Sequence, residues 1–201
     1  MTSLQKWGKS VRTTIPVMAG YLVLGVGFGI LLRTRGYGLG WALAMSAFIY
    51  AGSMQYVAID LLTGGASLLT TAVTTLLVNA RHLFYGISML ERYRAAGKYA
   101  PYLIFSLTDE TYSLVAARED LTGAECFRIS LLDQLYWVLG TALGSLAGAY
   151  LDFNTTGIDF SLTALFLTVF TEQWLETKDH APALIGLGIS IVCRLLFGAD
   201  S

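Results

Sequence analysis

Long apolar runs, each interrupted by a few polar residues, set the pattern of this chain. They lie at 15–32, 41–62, 67–90, 101–117, 127–151, 160–175 and 181–197. Crossing the hydrocarbon of a bilayer as a helix takes about 20 residues. The runs at 160–175 and 181–197 fall slightly short, and 67–90 is long enough only with its polar centre included. No run alternates with the period of two that a strand requires. Small residues recur at helical spacing instead, as Gly25 with Gly29 and Gly140 with Gly144, a spacing that lets helices approach closely in lipid. The pattern predicts an all-α integral membrane protein of about six or seven apolar segments, forming a single transmembrane domain over 1–201. Residues 1–14 read as a cytoplasmic or interfacial lead. Lys6, Lys9 and Arg12 precede the first run as they would in a signal peptide. That run exceeds a typical signal core and further runs follow it, so it reads as a retained first span.

The order of features repeats. Leu24, Gly25 and Gly29 are matched by Leu139, Gly140 and Gly144, Gln55-Tyr56 by Gln173-Trp174, and Arg81-His82-Leu83-Phe84 by Arg194-Leu195-Leu196-Phe197. This predicts a three-segment internal repeat joined by 101–117, with a broken helix near 79–82 and a matching irregularity near 192–198. If 67–90 enters and returns on one side the repeat is inverted, and the severity of its polar break favours that arrangement. The distribution of Lys and Arg between loops does not set the orientation.

Composition sharpens the class. Of 201 residues, 55% are hydrophobic and only 13% charged, with mean hydropathy +0.60; soluble domains carry about 25% charged residues, so this chain lacks the charge to cover a water-facing surface. Membrane lipid is the expected surround. A net charge of −1 makes no case for nucleic acid. Cys126 and Cys193 are far apart and read as small core residues, and with no Cys/His cluster neither a metal nor another cofactor is expected.

Ionisable groups at membrane depth cost roughly 2.5–3.5 kcal/mol each, and persist where they face a bundle interior or a water-filled path. Asn79, Arg81 and His82 divide an otherwise apolar run. Such a break exposes helix-end N–H and C=O groups that bind a carboxylate and an ammonium, and Arg81 can grip a carboxylate directly. Asp109 and Glu110 are adjacent, so on a helix they point about 100° apart. One is expected to face the cavity and carry a proton, the other to meet a basic group such as Arg81 or Arg194; Asp109 is the expected carrier. Gln55, Tyr56 and Ser53 sit deep, and offer amide and hydroxyl groups either to a substrate or to neighbouring helices. Asp60, Asp133 and Glu172 lie near segment ends, where each can reach the interface. Ser53 with His82 is the one pairing that suggests a serine hydrolase, but Ser53 lies in Ala51-Gly52-Ser53-Met54-Gln55, without the glycine two residues on. An enzyme is not expected.

With Met45-Ser46-Ala47 leading to Ala51-Gly52-Ser53-Met54-Gln55-Tyr56, then Asn79-Ala80-Arg81-His82-Leu83-Phe84-Tyr85-Gly86, then Leu107-Thr108-Asp109-Glu110-Thr111-Tyr112 and the late run from Asp159 to Phe166, the chain resembles the AzlC-type branched-chain amino acid permease family over nearly its whole length. The resemblance implies an inner-membrane, multi-pass exporter of valine, leucine or related amino acids, acting with a small AzlD-type membrane subunit. Family members usually continue with a further apolar segment, while this chain reaches Phe197-Gly198-Ala199-Asp200-Ser201, so a truncated or missing C-terminal span is one expectation. A second subunit, or a second copy in a homo-oligomer, is therefore expected over its small-residue faces. The residues agree with a zwitterionic, apolar substrate: Arg81 or a helix N-terminus for the carboxylate, Asp109 or Glu110 for the ammonium, and aliphatic walls. A channel for a small solute, or a structural subunit whose partner carries the path, remain the alternatives.

Overall fold

The computed structural model describes residues 2–116, 118–150 and 180–197, together with 157, 160, 163, 164, 167, 170, 171, 174 and 175. The elements among them are all helical. The chain divides into two compact units, Met1–Asp159 and Phe160–Ser201, and each is described by itself. Glu172, Gln173 and Gly198 lie outside the described residues.

Helix α1 (Ser3–Thr34) starts on a capping box, in which Thr2 and Gln5 satisfy each other's backbone N–H groups. It continues without charge from Ile15 to Leu32 and is, among the described residues, the one helix long and apolar enough to cross a membrane. It packs along α8 (Gly123–Tyr150). The glycine pairs marked in the sequence meet each other there. A Cβ on Gly25 would stand 3.0 Å from the Trp137 carbonyl oxygen and the Thr141 nitrogen, and one on Gly140 would stand 2.8 Å from the Leu22 oxygen. On Gly29 or Gly144 a Cβ would overlap the facing backbone outright. In lipid, where burial of apolar surface drives little association, this close backbone contact supplies the dispersion energy that joins the two helices. Trp137 fills the seam, edge-on to Tyr21 with centroids 5.5 Å apart and stacked near Phe28 at 6.3 Å.

The remaining apolar runs are cut into shorter helices. The run at 41–62, which reads as continuous in the sequence, becomes α2 (Leu39–Ala44), a π turn (Met45–Ile49) and α3 (Gly52–Thr63). Tyr50 between them takes the left-handed conformation, φ 44° and ψ 44°, which is uncommon for a bulky residue. The run at 67–90 breaks as expected, but narrowly: α4 (Leu68–Val78) stops at Asn79 and α5 (Arg81–Ala95) starts two residues on. The run at 101–117 also breaks. After a 3₁₀ turn (Gly97–Tyr99) come α6 (Ala100–Phe105) and α7 (Asp109–Ala116), separated by 106–108. Asp109 and Glu110 therefore open a helix instead of lying in the middle of one. A second core of Met89, Tyr93, Leu103, Leu107, Val115 and Ile129 joins α5, α6, α7 and α8. Arg92 closes its edge by donating to the carbonyls of Val115, Arg118 and Leu121. At the start of α8, hydrogen bonds from the Thr122 backbone and side chain hold the Glu125 carboxyl below its ordinary value.

In the second unit, α9 (Ala181–Phe197) runs as regular helix through residues 192–197. The irregularity expected there is absent among the described residues, because Arg194-Leu195-Leu196-Phe197 lacks the Asn-Ala pair that ends α4. Cys126 is buried as expected, whereas Cys193 is exposed on α9.

The seam yields a direct test. Gly144→Val forces α1 and α8 apart and should destabilise the protein at the upper end of the roughly 1–3 kcal/mol typical of overpacking. Gly20→Val, whose Cβ meets nothing within 4 Å, should melt with the parent. Melting temperature in detergent, read beside the monodisperse yield, distinguishes them; equal melting of both variants would contradict the close approach.

Candidate functional site

The motifs singled out in the sequence are the starts of three helices that meet. Ser53 is the second residue of α3, Arg81 the first of α5 and Asp109 the first of α7. Arg81 donates from Nη2 to Ser53 Oγ at 2.8 Å and forms an ion pair through Nη1 with Asp109. Each helix start carries the positive end of its dipole. Neither Ala51 before α3 nor Ala80 before α5 supplies a side-chain cap, while Thr108 caps α7 by accepting from the Thr111 N–H at 3.3 Å. Three helix N-termini and a guanidinium thus concentrate positive potential, and Asp109 is the group that answers it. About a fifth of the Asp109 side chain and a quarter of Arg81 is exposed, at 20% and 27%, so the pair stands at the edge of accessible space.

A cleft of about 510 Å³ is lined by residues from each break, Tyr50 and Ala51, Asn79 and His82, and Leu107; Arg81 and Asp109 are not among its lining residues, although their near neighbours in the chain are. Leu83, Gly86, Ile87, Ile104 and Phe105 complete an apolar wall. Asn79 Oδ1 is buried and has no hydrogen-bond partner among the described residues. His82 Nδ1 lies 3.2 Å from the Asn79 carbonyl and its ring meets Tyr85 edge-on at 6.0 Å. Ser53 bonds to Arg81 and not to His82, so the hydrolase-like pairing is not formed.

Other candidates lie elsewhere. Gln55 has no exposed surface; it accepts from Trp137 Nε1 at 2.9 Å and donates to Ser46 Oγ at 3.2 Å, which continues to Thr141 at 3.0 Å. Tyr56 donates to the Leu24 carbonyl at 2.7 Å. Both tie α3 to the seam between α1 and α8. Arg194 is exposed on α9, in the second unit. The expected division of the adjacent carboxylates is reversed: Asp109 takes the basic partner, while Glu110 Oε2 turns inward to 2.7 Å from the Tyr21 hydroxyl. Asp133 does not reach an interface; it is fully buried, with Oδ2 2.9 Å from Thr111 Oγ1.

Tyr21, Thr108 and Thr111 escaped the sequence reading. Tyr21 had a signal, being the one polar side chain in the run 15–32. The two threonines stood only inside the motif Leu107 to Tyr112, with nothing to mark them as site residues, because threonine is common in apolar helices and only the break at 106–108 turns Thr108 into a cap.

Among known proteins, the family described as AzlC protein matches residues 16–151. The branched-chain amino acid transport protein AzlC of Bacillus subtilis is 46% identical over 192 residues, 93% of this chain and 75% of that protein. A Helicobacter pylori protein named as a membrane protein is 44% identical, over 93% of this chain and 84% of its own length. The inner membrane protein YgaZ of Escherichia coli is 27% identical, over 87% of this chain and 77% of its own. No solved structure matches.

Removing one member of the Arg81 and Asp109 pair takes the opposite charge away from the other, while Arg81 keeps its bond to Ser53. Asp109→Asn should cost about 2 kcal/mol, below the 3–5 kcal/mol of a fully buried pair because both side chains are partly exposed. The double variant Arg81→Gln with Asp109→Asn should recover part of that loss. A double-mutant cycle by thermal melting checks this, and additive losses would mean that the two charges do not interact.

Proposed function

The chain belongs to the AzlC family, and on that premise we propose that it is the large subunit of a secondary transporter that exports branched-chain or similar apolar amino acids, such as valine and leucine, across the bacterial inner membrane. The observation that carries this reading is the cleft at the helix breaks, whose apolar wall includes residues one or two positions along the chain from a guanidinium and a carboxylate paired with each other. A zwitterionic amino acid fits by entering that pair. Its carboxylate goes to Arg81 and the start of α5, its ammonium to Asp109 and Asn79 Oδ1, and its side chain to Leu83, Ile87 and Leu107. One ion pair then becomes two, so the site loses no charge compensation when substrate arrives and regains its own pair when substrate leaves. This is binding chemistry, in which no bond of the substrate is made or broken, and that is how a carrier differs from an enzyme.

The same proposal includes proton coupling, a multi-pass arrangement with an inverted three-segment repeat, and a small AzlD-type partner or a second copy. The name of the Escherichia coli relative supports the inner membrane. Exposed apolar side chains along α4, including Leu68, Leu69 and Leu77, suit either lipid or that partner.

Gly86 offers the sharpest test, because it lines the cleft and a Cβ there meets nothing within 4 Å. Gly86→Phe should fill the cleft without disturbing the fold. In proteoliposomes holding the chain with and without its small partner, the parent should give saturable, trans-stimulated valine counterflow, and Gly86→Phe should abolish it at unchanged melting temperature. Valine should be preferred over alanine by about tenfold or more, from roughly 1–3 kcal/mol per methylene. Non-saturating flux would identify a channel, and no flux in any arm would identify a structural subunit.

A further inference from the structure

Behind the start of α7 a line of oxygens runs inward from Glu110 to Asp133. The Tyr21 hydroxyl lies 2.7 Å from Glu110 Oε2 and 2.7 Å from Thr108 Oγ1. Thr108 Oγ1 lies 3.2 Å from Thr111 Oγ1, which lies 2.9 Å from Asp133 Oδ2. Tyr21 and Thr108 are buried, and Thr111 and Asp133 have no exposed surface. Glu110 is only half-buried, so the line is open at one end and closed at the other. At the closed end Asp133 Oδ1 is buried with no hydrogen-bond partner among the described residues. The titratable groups facing Asp133 are Tyr50 beyond the π turn, Tyr102 on α6 and Glu110 on α7, with Tyr21 of α1 on the line itself; none of these is a cation. Beside Glu110 stand Asp109 and its partner Arg81.

The hydrogens on this line can be counted. Glu110 to Tyr21, Tyr21 to Thr108, Thr108 to Thr111 and Thr111 to Asp133 make four links, and the hydroxyls of Tyr21, Thr108 and Thr111 supply three hydrogens. The Thr111 N–H is used in capping α7. With both carboxyls ionised, one link must join two oxygens with no hydrogen between them, inside a protein core where an unmade hydrogen bond and an unpaired charge are both costly. A single added proton completes every link. On Glu110 it turns all the hydroxyls toward Asp133; on Asp133 it turns them all toward Glu110.

We infer that this line is a proton-binding site, holding one proton that passes between Glu110 at the open end and Asp133 at the closed end. In the inward step the Glu110 O–H bond breaks as the Tyr21 oxygen takes its hydrogen. The Tyr21 hydrogen passes to Thr108, that of Thr108 to Thr111, and that of Thr111 to Asp133. Each oxygen on the way loses one O–H bond and gains one, the line carries one negative charge throughout, and nothing else is consumed. Thr108, Asp109, Glu110 and Thr111 share the first turn of α7. The position of the proton therefore sets whether a negative charge stands beside Asp109 and competes with it for Arg81. In the transporter proposed above this makes the proton the coupling ion; that role rests on the transport reading, while proton binding itself does not.

Infrared spectroscopy of the purified chain tests binding without any transport. A protonated carboxyl gives a carbonyl band that shifts in D₂O and that ionised carboxylates lack. The parent should show such a band at neutral pH. Glu110→Gln and Asp133→Asn should each remove it, because the amide N–H supplies the missing hydrogen and leaves the line complete; for the same reason both should fold. Absence of the band in the parent, or its persistence in either variant, overturns the site. The coupling role is then read in proteoliposomes: Asp133→Asn should lose valine flux driven by a pH gradient while counterflow at equal pH persists. Unchanged gradient-driven flux, or flux driven by a sodium gradient instead, overturns coupling through this line. If the parent carries no valine in any arm, the transport reading fails and the infrared result still decides the proton site.

Discussion

A helix that breaks away from bulk water has to satisfy its opened ends within the protein. Here one side chain ties three such ends to one another through the side chains they carry. Arg81 opens α5, reaches Ser53 at the opening of α3 and pairs with Asp109 at the opening of α7. Three breaks are thereby held in register by a guanidinium whose rigid fork presents donors in two directions. The cleft exists because the three breaks stand together, and it is apolar because each break interrupts a run that was apolar on either side.

The seam of α1 and α8 gives this arrangement something fixed to stand on. Gly25, Gly29, Gly140 and Gly144 bring the two backbones into contact, and Gln55 and Tyr56 fasten α3 to that seam by bonds to Trp137 and to the Leu24 carbonyl. Polar groups that look like site candidates in a membrane segment thus divide into two uses. Gln55 and Tyr56 lock a helix in place; Arg81 and Asp109 form a partly exposed ion pair at the helix breaks. Deep burial marks the first use and partial exposure the second.

Glu110 and Asp133 belong to neither group. They are joined through Tyr21, Thr108 and Thr111, away from the cleft but on the same turn as Asp109. Leu107 of the cleft wall and Glu110, where the line to Asp133 begins, both stand within two residues of Asp109, the partner of Arg81.

Much was written in the sequence alone. Uncharged runs with glycines at helical spacing point to helices in lipid, since only helices and closed barrels satisfy the backbone there and no run alternates as a barrel strand does. Asn79-Ala80-Arg81-His82 announces a break because a run that is otherwise apolar has no reason to carry an arginine there. The glycine pairs were also legible as a spacing that lets helices approach closely, beside the plain frequency of glycine in membrane helices, but not that they face each other. What only the tertiary structure decided were the breaks at Tyr50 and at 106–108, which involve no charge and leave the hydropathy pattern unchanged. Because the second break puts Asp109 at a helix start, it also decided which carboxylate meets Arg81. A residue's partner depends on the direction in which the chain presents it, and a single left-handed residue or one unwound turn changes that direction without changing any composition a sequence can display.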